Sequence, residues 1–359
     1  MAGTTPRLDF AVIGHQENWK DIENFINRLR KPEQEILSID KIKNIFPFIP
    51  PRVLFNVNVK SVCGKEIRGV YIETFIDPDK LDNSHGKTNL KKVLQAAICA
   101  QKANAGIATF GGFTSIFQEG NLNFIPPGPT KFTTGNTLTV AFIIKAVEAA
   151  SKYCNINISR SNVLILGATG DIGQACVNYF KDKAEAILLC ARNKHRLQSV
   201  SAGLKNEGFN SILDTSPEKL LPIADVIICV ASAFELNLSG FKKNVLICDA
   251  GYPKNLQYQI NDNRDVHLFY GGMGQVKSGF SFDPDYSGSI YKYPAPGVAH
   301  GCILEAMALA FEKKIESYSV GKGNITQTKI EEIYQMAGKY GITTAPLFNI
   351  NGLWPLQKF

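Results

Sequence analysis

Apolar positions in the first 160 residues fall into short runs of two kinds. Asp9–Gly14, Arg52–Val62 and Gly69–Phe75 run apolar or alternate, with Val53, Phe55, Val57 and Val59 on one face, which predicts strands. Lys87–Ala105 carries Leu90, Val93, Leu94, Ala97 and Ile98 on one stripe and predicts an amphipathic helix whose Lys91, Lys92 and Lys102 face solvent. A glycine-rich segment, Gly106–Ser115, and the loop Pro126-Pro127-Gly128-Pro129 follow, and a long apolar helix is predicted over Thr137–Tyr153. From Asn162 the pattern changes. Asn162–Leu166, Ala186–Cys190, Val226–Val230, Val245–Asp249 and His267–Phe269 are short apolar runs separated by helical or polar stretches, the pattern of a parallel sheet covered on both faces. Helices over Gly301–Lys314 and Thr328–Lys339 close the pattern, with Gly341 as the C-terminal cap of the last.

These elements predict an α/β chain: a central Rossmann-like parallel-sheet domain, plus an α/β substrate domain built from the N-terminal part and the C-terminal helices. The expected divisions are residues 1–155, 156–290 and 291–359. A length of 359 residues exceeds the usual size of one hydrophobic core, which favours more than one domain. The longest apolar stretch, Leu138–Ala150, is interrupted by Lys145 and Glu148, and Met1–Asp9 lacks an apolar signal core, so a cytoplasmic protein without a transmembrane segment is expected. Eight cysteines without a CxxC or Cys/His cluster read as reduced thiols and disfavour a metal site. The net charge of +7 is carried mainly by the first 160 residues. That excess is either general solubility or the attraction of an acidic partner; scattered basic residues without a binding motif argue against nucleic acid.

The first candidate chemistry is Gly167-Ala168-Thr169-Gly170-Asp171-Ile172-Gly173, which follows a predicted strand and opens a predicted helix. Glycines there permit a tight turn and close approach to a pyrophosphate, which the helix N-terminus attracts, so a dinucleotide site is expected. The second strand ends Cys190-Ala191-Arg192-Asn193, with no acidic residue for a ribose hydroxyl. Arg192, with Lys194 or Arg196 near it, can pair with a 2′-phosphate, which favours NADPH over NADH.

Among the cysteines Cys302 stands apart, at the start of the predicted late helix after Tyr293-Pro-Ala-Pro-Gly-Val-Ala-His300-Gly301. A thiol in the first turn of a helix is expected to have a lowered pKa and nucleophilic character. His300 lies nearby, and a small core residue at a helix start is the alternative reading. His15, in Ile13-Gly14-His15, follows an early strand and faces either the cleft or the interior.

Val59–Gly64, Gly111–Ile116, Phe132-Thr-Thr-Gly-Asn-Thr137, Gly167–Gly173, Ala191–Asn193 and Gly251-Tyr-Pro-Lys-Asn-Leu256 together resemble the long-chain acyl-[acyl-carrier-protein] reductases of cyanobacterial type, in that family's order. The resemblance implies reduction of a fatty acyl thioester, on acyl carrier protein or coenzyme A, to a fatty aldehyde by NADPH through a covalent acyl-cysteine. It places that cysteine at Cys302, with Lys254 and His300 as further catalytic candidates. Cofactor residues are then Gly167–Gly173, Arg192, Asn193 and Arg196; Thr134, Gly135 and Asn136 are expected near substrate, where the domains meet. Lys254 either binds cofactor, polarises a carbonyl or is a plain loop lysine; Asn136 either contacts substrate or nicotinamide or caps its helix. Glu35–Pro51 is longer than the family pattern, and His300-Gly301 departs from it. Two other readings stay open: a Rossmann reductase of the shikimate or glutamyl-tRNA type, and a non-catalytic NADPH-binding protein.

Overall fold

A computed structural model describes residues 7–81, 85–118, 124–231, 240–252, 254, 256, 266–285 and 292–355. The chain divides into two compact units, the first comprising Met1–Gly135, Gln275–Gly321 and Gln335–Thr343, the second Asn136–Gly274, Lys322–Tyr334 and Thr344–Phe359. It passes from one to the other between Gly135 and Asn136 and returns after Gly274, so the expected boundaries at 155 and 290 fall elsewhere. The helix Asn136–Tyr153 belongs to the second unit because its buried face, including Val140, Ile143 and Ile144, packs with that unit's helix Asp171–Phe180 and strand Val245–Asp249.

The first unit holds a mixed sheet in the order Phe280–Asp283, Arg52–Lys60, Glu66–Glu73, Leu8–Gly14, Ala105–Phe110, Lys131–Thr133. The first two junctions are antiparallel and the rest parallel. Leu8–Gly14 sits in the interior of this sheet and reads as a nearly continuous apolar run because both its faces are covered. The helix Gly301–Glu312 lies on Leu8–Gly14, Glu66–Glu73 and Ala105–Phe110, buried from Gly301 to Phe311. A helix apolar on all sides has no solvent face to present, which explains its weak amphipathic pattern.

The helix Gly86–Lys102 forms as predicted, but its buried stripe is Asn89, Val93, Ala96, Ala97 and Ala100, one position round from expectation. Lys92 does not face solvent: its ammonium donates to the carbonyls of Ile49 (2.6 Å) and Phe75 (3.2 Å). The long Glu35–Pro51 stretch forms the helix Ile39–Ile45 and the turn Phe46–Phe48, closing with Trp19–Arg28 a small core of Ile22, Ile42, Phe46 and Phe75.

The second unit holds six parallel strands in the order Val266–Tyr270, Val245–Asp249, Val226–Cys229, Asn162–Leu166, Ala186–Cys190, Ser211–Asp214. Counted from Asn162–Leu166, this is the Rossmann order 3-2-1-4-5-6 read from the far edge. Its centre, Leu164, Leu166, Leu188, Ile227 and Ile247, is fully buried. Among the described residues no helix is long and apolar enough to cross a membrane.

Candidate active site

The first strand of the second unit ends at Leu166, at the point where its sheet order reverses and ligands bind in folds of this class. Gly167 has φ +94°, a conformation that favours glycine, and a side chain on it would press on Ala231 and Val230 at 3.2 Å. A Cβ on Gly173 would lie 2.1 Å from the Gly167 carbonyl oxygen, so helix and turn approach too closely for any other residue. The Gly167 and Ala168 N–H groups donate to the Cys190 carbonyl at 2.8 and 3.1 Å and fix the turn to the next strand. Gly170 caps the helix Asp171–Phe180 without a side chain. A turn with glycine at 167, 170 and 173, opening a helix whose first N–H groups have no side-chain cap, fits the pyrophosphate of a nicotinamide dinucleotide.

Around that turn the expected residues take different parts. Arg192 and Arg196 are exposed at the end of strand Ala186–Cys190, where a ribose phosphate would lie. Asn193 caps the helix Lys194–Asn206, its side chain accepting from the Arg196 N–H at 3.0 Å. Asn136 is buried, and its amide donates to Asp171 Oδ2 at 3.0 Å. Asp171 Oδ1 accepts from the Gly323 N–H at 3.0 Å, and burial raises its pKa against these two hydrogen bonds. Lys254 Nζ donates to the carbonyls of Asp249 (3.0 Å) and Gly271 (3.1 Å), tying the carboxyl ends of two strands. Pro253 and Asn255 of the same motif lie outside the described residues.

Cys302 lies in the first turn of Gly301–Glu312, in the first unit. The backbone N–H groups of Gly112, Ile303 and Cys302 itself favour the charged form of its sulfur. The thiol expectation is nevertheless corrected: burial pushes its pKa up to about 11, outweighing the three donors, and the nearby Glu305 carboxylate adds to the rise. The side chain is 9% exposed, and desolvation of a thiolate at that depth exceeds what one helix end supplies. The group therefore rests as a thiol in a cage of donors that favour negative charge as it develops.

Segments distant in sequence build this cage. Thr109 Oγ1 donates to the Cys302 carbonyl at 2.7 Å. Gly135 has φ +71°, and a Cβ there would lie 2.1 Å from Cys302 Cα, so the chain passes against the cysteine as only glycine can. Glu305, buried one turn on, accepts from Thr133 Oγ1 (2.5 Å) and Ser319 Oγ (2.9 Å). Thr134 is buried, with its N–H and hydroxyl both directed to the Ser319 carbonyl. Thr134 thus holds Phe132–Gly135 in place, a reading different from direct substrate contact. His300 Nε2 meets the Tyr293 hydroxyl at 2.8 Å and its side chain does not cap the helix.

Sequence reasoning gave Gly112 and Glu305 no role of their own and missed the buried carboxyl Glu73. Glu73 accepts from Gln16 Nε2 (2.9 Å), Tyr71 Oη (3.2 Å) and the Phe75 N–H (3.1 Å), and burial raises its pKa from 4.5 to about 7. The only prior signal for Gly112 was the glycine pair after a predicted strand; Glu73 carried none, since an acidic strand end reads as solvated.

No family model matches the chain. A long-chain acyl-[acyl-carrier-protein] reductase of Synechococcus elongatus is 32% identical over 344 residues, covering 92% of this chain and 97% of that protein. A glutamyl-tRNA reductase of Flavobacterium psychrophilum is 31% identical over 144 residues, covering 38% of this chain and 32% of that protein. Among solved structures, L-tryptophan dehydrogenase from Nostoc punctiforme is 10% identical with a TM-score of 0.40, covering 91% of this chain and 80% of that one.

Proposed function

This chain belongs to the long-chain acyl-[acyl-carrier-protein] reductase family, and from that premise we propose that it reduces a fatty acyl thioester to a fatty aldehyde with NADPH, through a covalent bond to Cys302. The observation that carries the reading is a cysteine in the first turn of a helix buried from Gly301 to Phe311, with Gly135 packed against its backbone as only glycine can be. A small apolar recess of about 10 Å³ begins at the adjoining Ile303 and is lined by Val12, Phe55, Tyr71, Phe282 and Met307; an acyl chain would enter it only by displacing these side chains. The donor is an acyl carrier protein or coenzyme A, and the basic excess of the first 160 residues suits an acidic carrier.

Cys302 Sγ forms a bond to the acyl carbonyl carbon as the carrier's carbon–sulfur bond breaks, and the thiol proton leaves with the carrier sulfur. Negative charge passing through sulfur and carbonyl oxygen during this exchange is met by the Gly112 and Ile303 N–H groups. NADPH, when bound, supplies the hydride that the acyl carbon gains. Rupture of the Cys302–carbon bond then frees the aldehyde, and the sulfur takes up a proton readily because its pKa is high. Gly167–Gly173 hold the pyrophosphate, and Arg192 with Arg196 bind the 2′-phosphate. His300 and Lys254 act by holding Tyr293 and the strand ends in place.

Incubation with acyl thioester but no NADPH is expected to add one acyl mass to the intact protein, lost when NADPH is added. Cys302→Ala is expected to abolish both the adduct and aldehyde formation. Full activity in that variant would falsify the covalent step.

A further inference from the structure

We propose that Glu305 is the positioning residue of Cys302, holding the Thr133–Gly135 segment against the cysteine and so setting where the sulfur stands. The inference rests on Cys302 being the acylated residue, and it gives a part to a buried carboxylate that the reaction does not otherwise use.

Glu305 is the one charged side chain in the run Gly301–Phe311, and it is fully buried. Burying a carboxylate costs stability unless hydrogen bonds offset it, so what it binds matters. Three positions on from Cys302, it stands on the same side of the helix. Each of its oxygens takes a hydroxyl from a distant segment, Thr133 Oγ1 at 2.5 Å and Ser319 Oγ at 2.9 Å. The direction of the first bond follows from counting donors. Thr133 Oγ1 receives the Ser319 N–H at 3.0 Å and the Gly135 N–H at 3.4 Å, and a backbone N–H can only donate. Both lone pairs of the hydroxyl are then in use, so its proton goes to Glu305 Oε1 and not the reverse. Without that acceptor the proton would turn to the Ser319 carbonyl, 3.5 Å away, and carry the lone pairs off the two N–H groups.

The Thr134 N–H and hydroxyl donate to the Ser319 carbonyl at 3.0 and 3.3 Å, so residues 133–134 and Ser319 are tied in both directions. Glu305 fastens that pair of segments to the cysteine's own helix. What the set holds is Gly135. A Cβ there would lie 2.1 Å from Cys302 Cα and 2.5 Å from both its Cβ and its carbonyl oxygen, so the two backbones are in direct contact. The bond from the Gly135 N–H to Thr133 Oγ1 fixes the peptide that leads into this contact. A glycine at positive φ would otherwise sample many orientations. A sulfur attacks a carbonyl carbon only from a narrow range of positions, so a cysteine held by its backbone is in place beforehand.

Glu305→Met removes both acceptors at similar volume, while Glu305→Gln keeps an acceptor for Thr133 and meets Ser319 Oγ with an N–H. Both variants lack the charge, so a difference between them reports the hydrogen bonds alone. Two rates are measured in each: acylation by acyl thioester without NADPH, followed by intact mass, and alkylation of Cys302 by iodoacetamide, localised by peptide mass. Relative to Glu305→Gln, Glu305→Met is expected to acylate at least tenfold more slowly and to alkylate at least threefold faster, with NADPH binding and circular dichroism unchanged. A released Gly135 uncovers the thiol and no longer aligns it. A residue that only stabilises the fold would lower the thermal midpoint and leave both rates of the folded protein alone, so equal rates in the two variants overturn the proposal. Should Glu305→Met not fold, Thr133→Val against Thr133→Ser decides: the same slowing and quickening are expected of valine and rescue of serine, and matching rates sink it. Alkylation needs no acyl substrate, so a failure of the covalent reading, shown by an active Cys302→Ala, is separable from a failure of the Glu305 role.

Discussion

In the second unit the three glycines that shape the dinucleotide turn lie between Gly167 and Gly173, and each acts through its own backbone. In the first unit the surroundings of Cys302 draw on residues 109, 133–135, 305 and 319, brought together by sheet order and one buried helix. The turn is a local device that can form wherever a strand meets a helix. The cage exists only when the whole sheet has assembled, so its chemistry is more exposed to distant substitutions. The contrast extends to charge: the turn uses a helix end, whereas the surroundings of Cys302 enclose a thiol that burial holds protonated.

The largest effect that would sharpen this contrast is expected from Gly135→Ala, far from Cys302 in sequence. Its Cβ would meet the backbone of Cys302 at 2.1 Å in a positive-φ conformation, so a loss of about 3 kcal/mol or more in denaturant unfolding and the loss of acylation are expected. Gly208→Ala, with positive φ but open space, is the control and should cost about 1 kcal/mol. Equal effects at the two positions would break the comparison.

Next in size is the pH dependence set by Glu73. Its folded pKa of about 7 lies above the ordinary 4.5, so its contribution is fully present below about pH 4.5 and is lost as pH rises through 7. Wild type should therefore lose about 3 kcal/mol relative to Glu73→Gln between pH 4 and 8. His15 has the opposite sign, its pKa lowered to about 4, so its contribution is lost as pH falls below 6.5. Both variants retain His15, so their difference isolates Glu73; parallel stability curves would remove the buried-carboxyl account.

The smallest effect tests the local device. Arg192→Ala is expected to weaken NADPH binding about tenfold, near 1.4 kcal/mol, and to leave NADH binding and Cys302 alkylation unchanged. Titration by cofactor fluorescence measures it, and an equal loss for both cofactors would remove the 2′-phosphate assignment.

The same contrast explains what could be read from the chain alone. Parallel strands covered on both faces announce themselves as apolar runs, so Asn162–Leu166 and Ala186–Cys190 were legible to the residue, and the glycine turn followed from its neighbours. The position of Cys302 at a helix start was legible too. Its pKa was not, because burial depends on the sheet beneath the helix and not on the helix end. Nor could the sequence reveal that Gly135 touches Cys302, that Thr134 turns to Ser319, or that Lys92 turns inward, since each depends on a partner many residues away. The helix Asn136–Tyr153 shows the same limit: its apolar pattern predicts a helix and is silent on which unit it covers.

Asp171 touches two of the three segments that make up the second unit, Asn136 at the start of the first and Gly323 near the start of the second, each at 3.0 Å. A single carboxylate at the head of the nucleotide-turn helix thus fastens together stretches of chain that lie 187 positions apart. Removing its charge would loosen both attachments at once, so the turn and the seam of the unit stand or fall on one side chain.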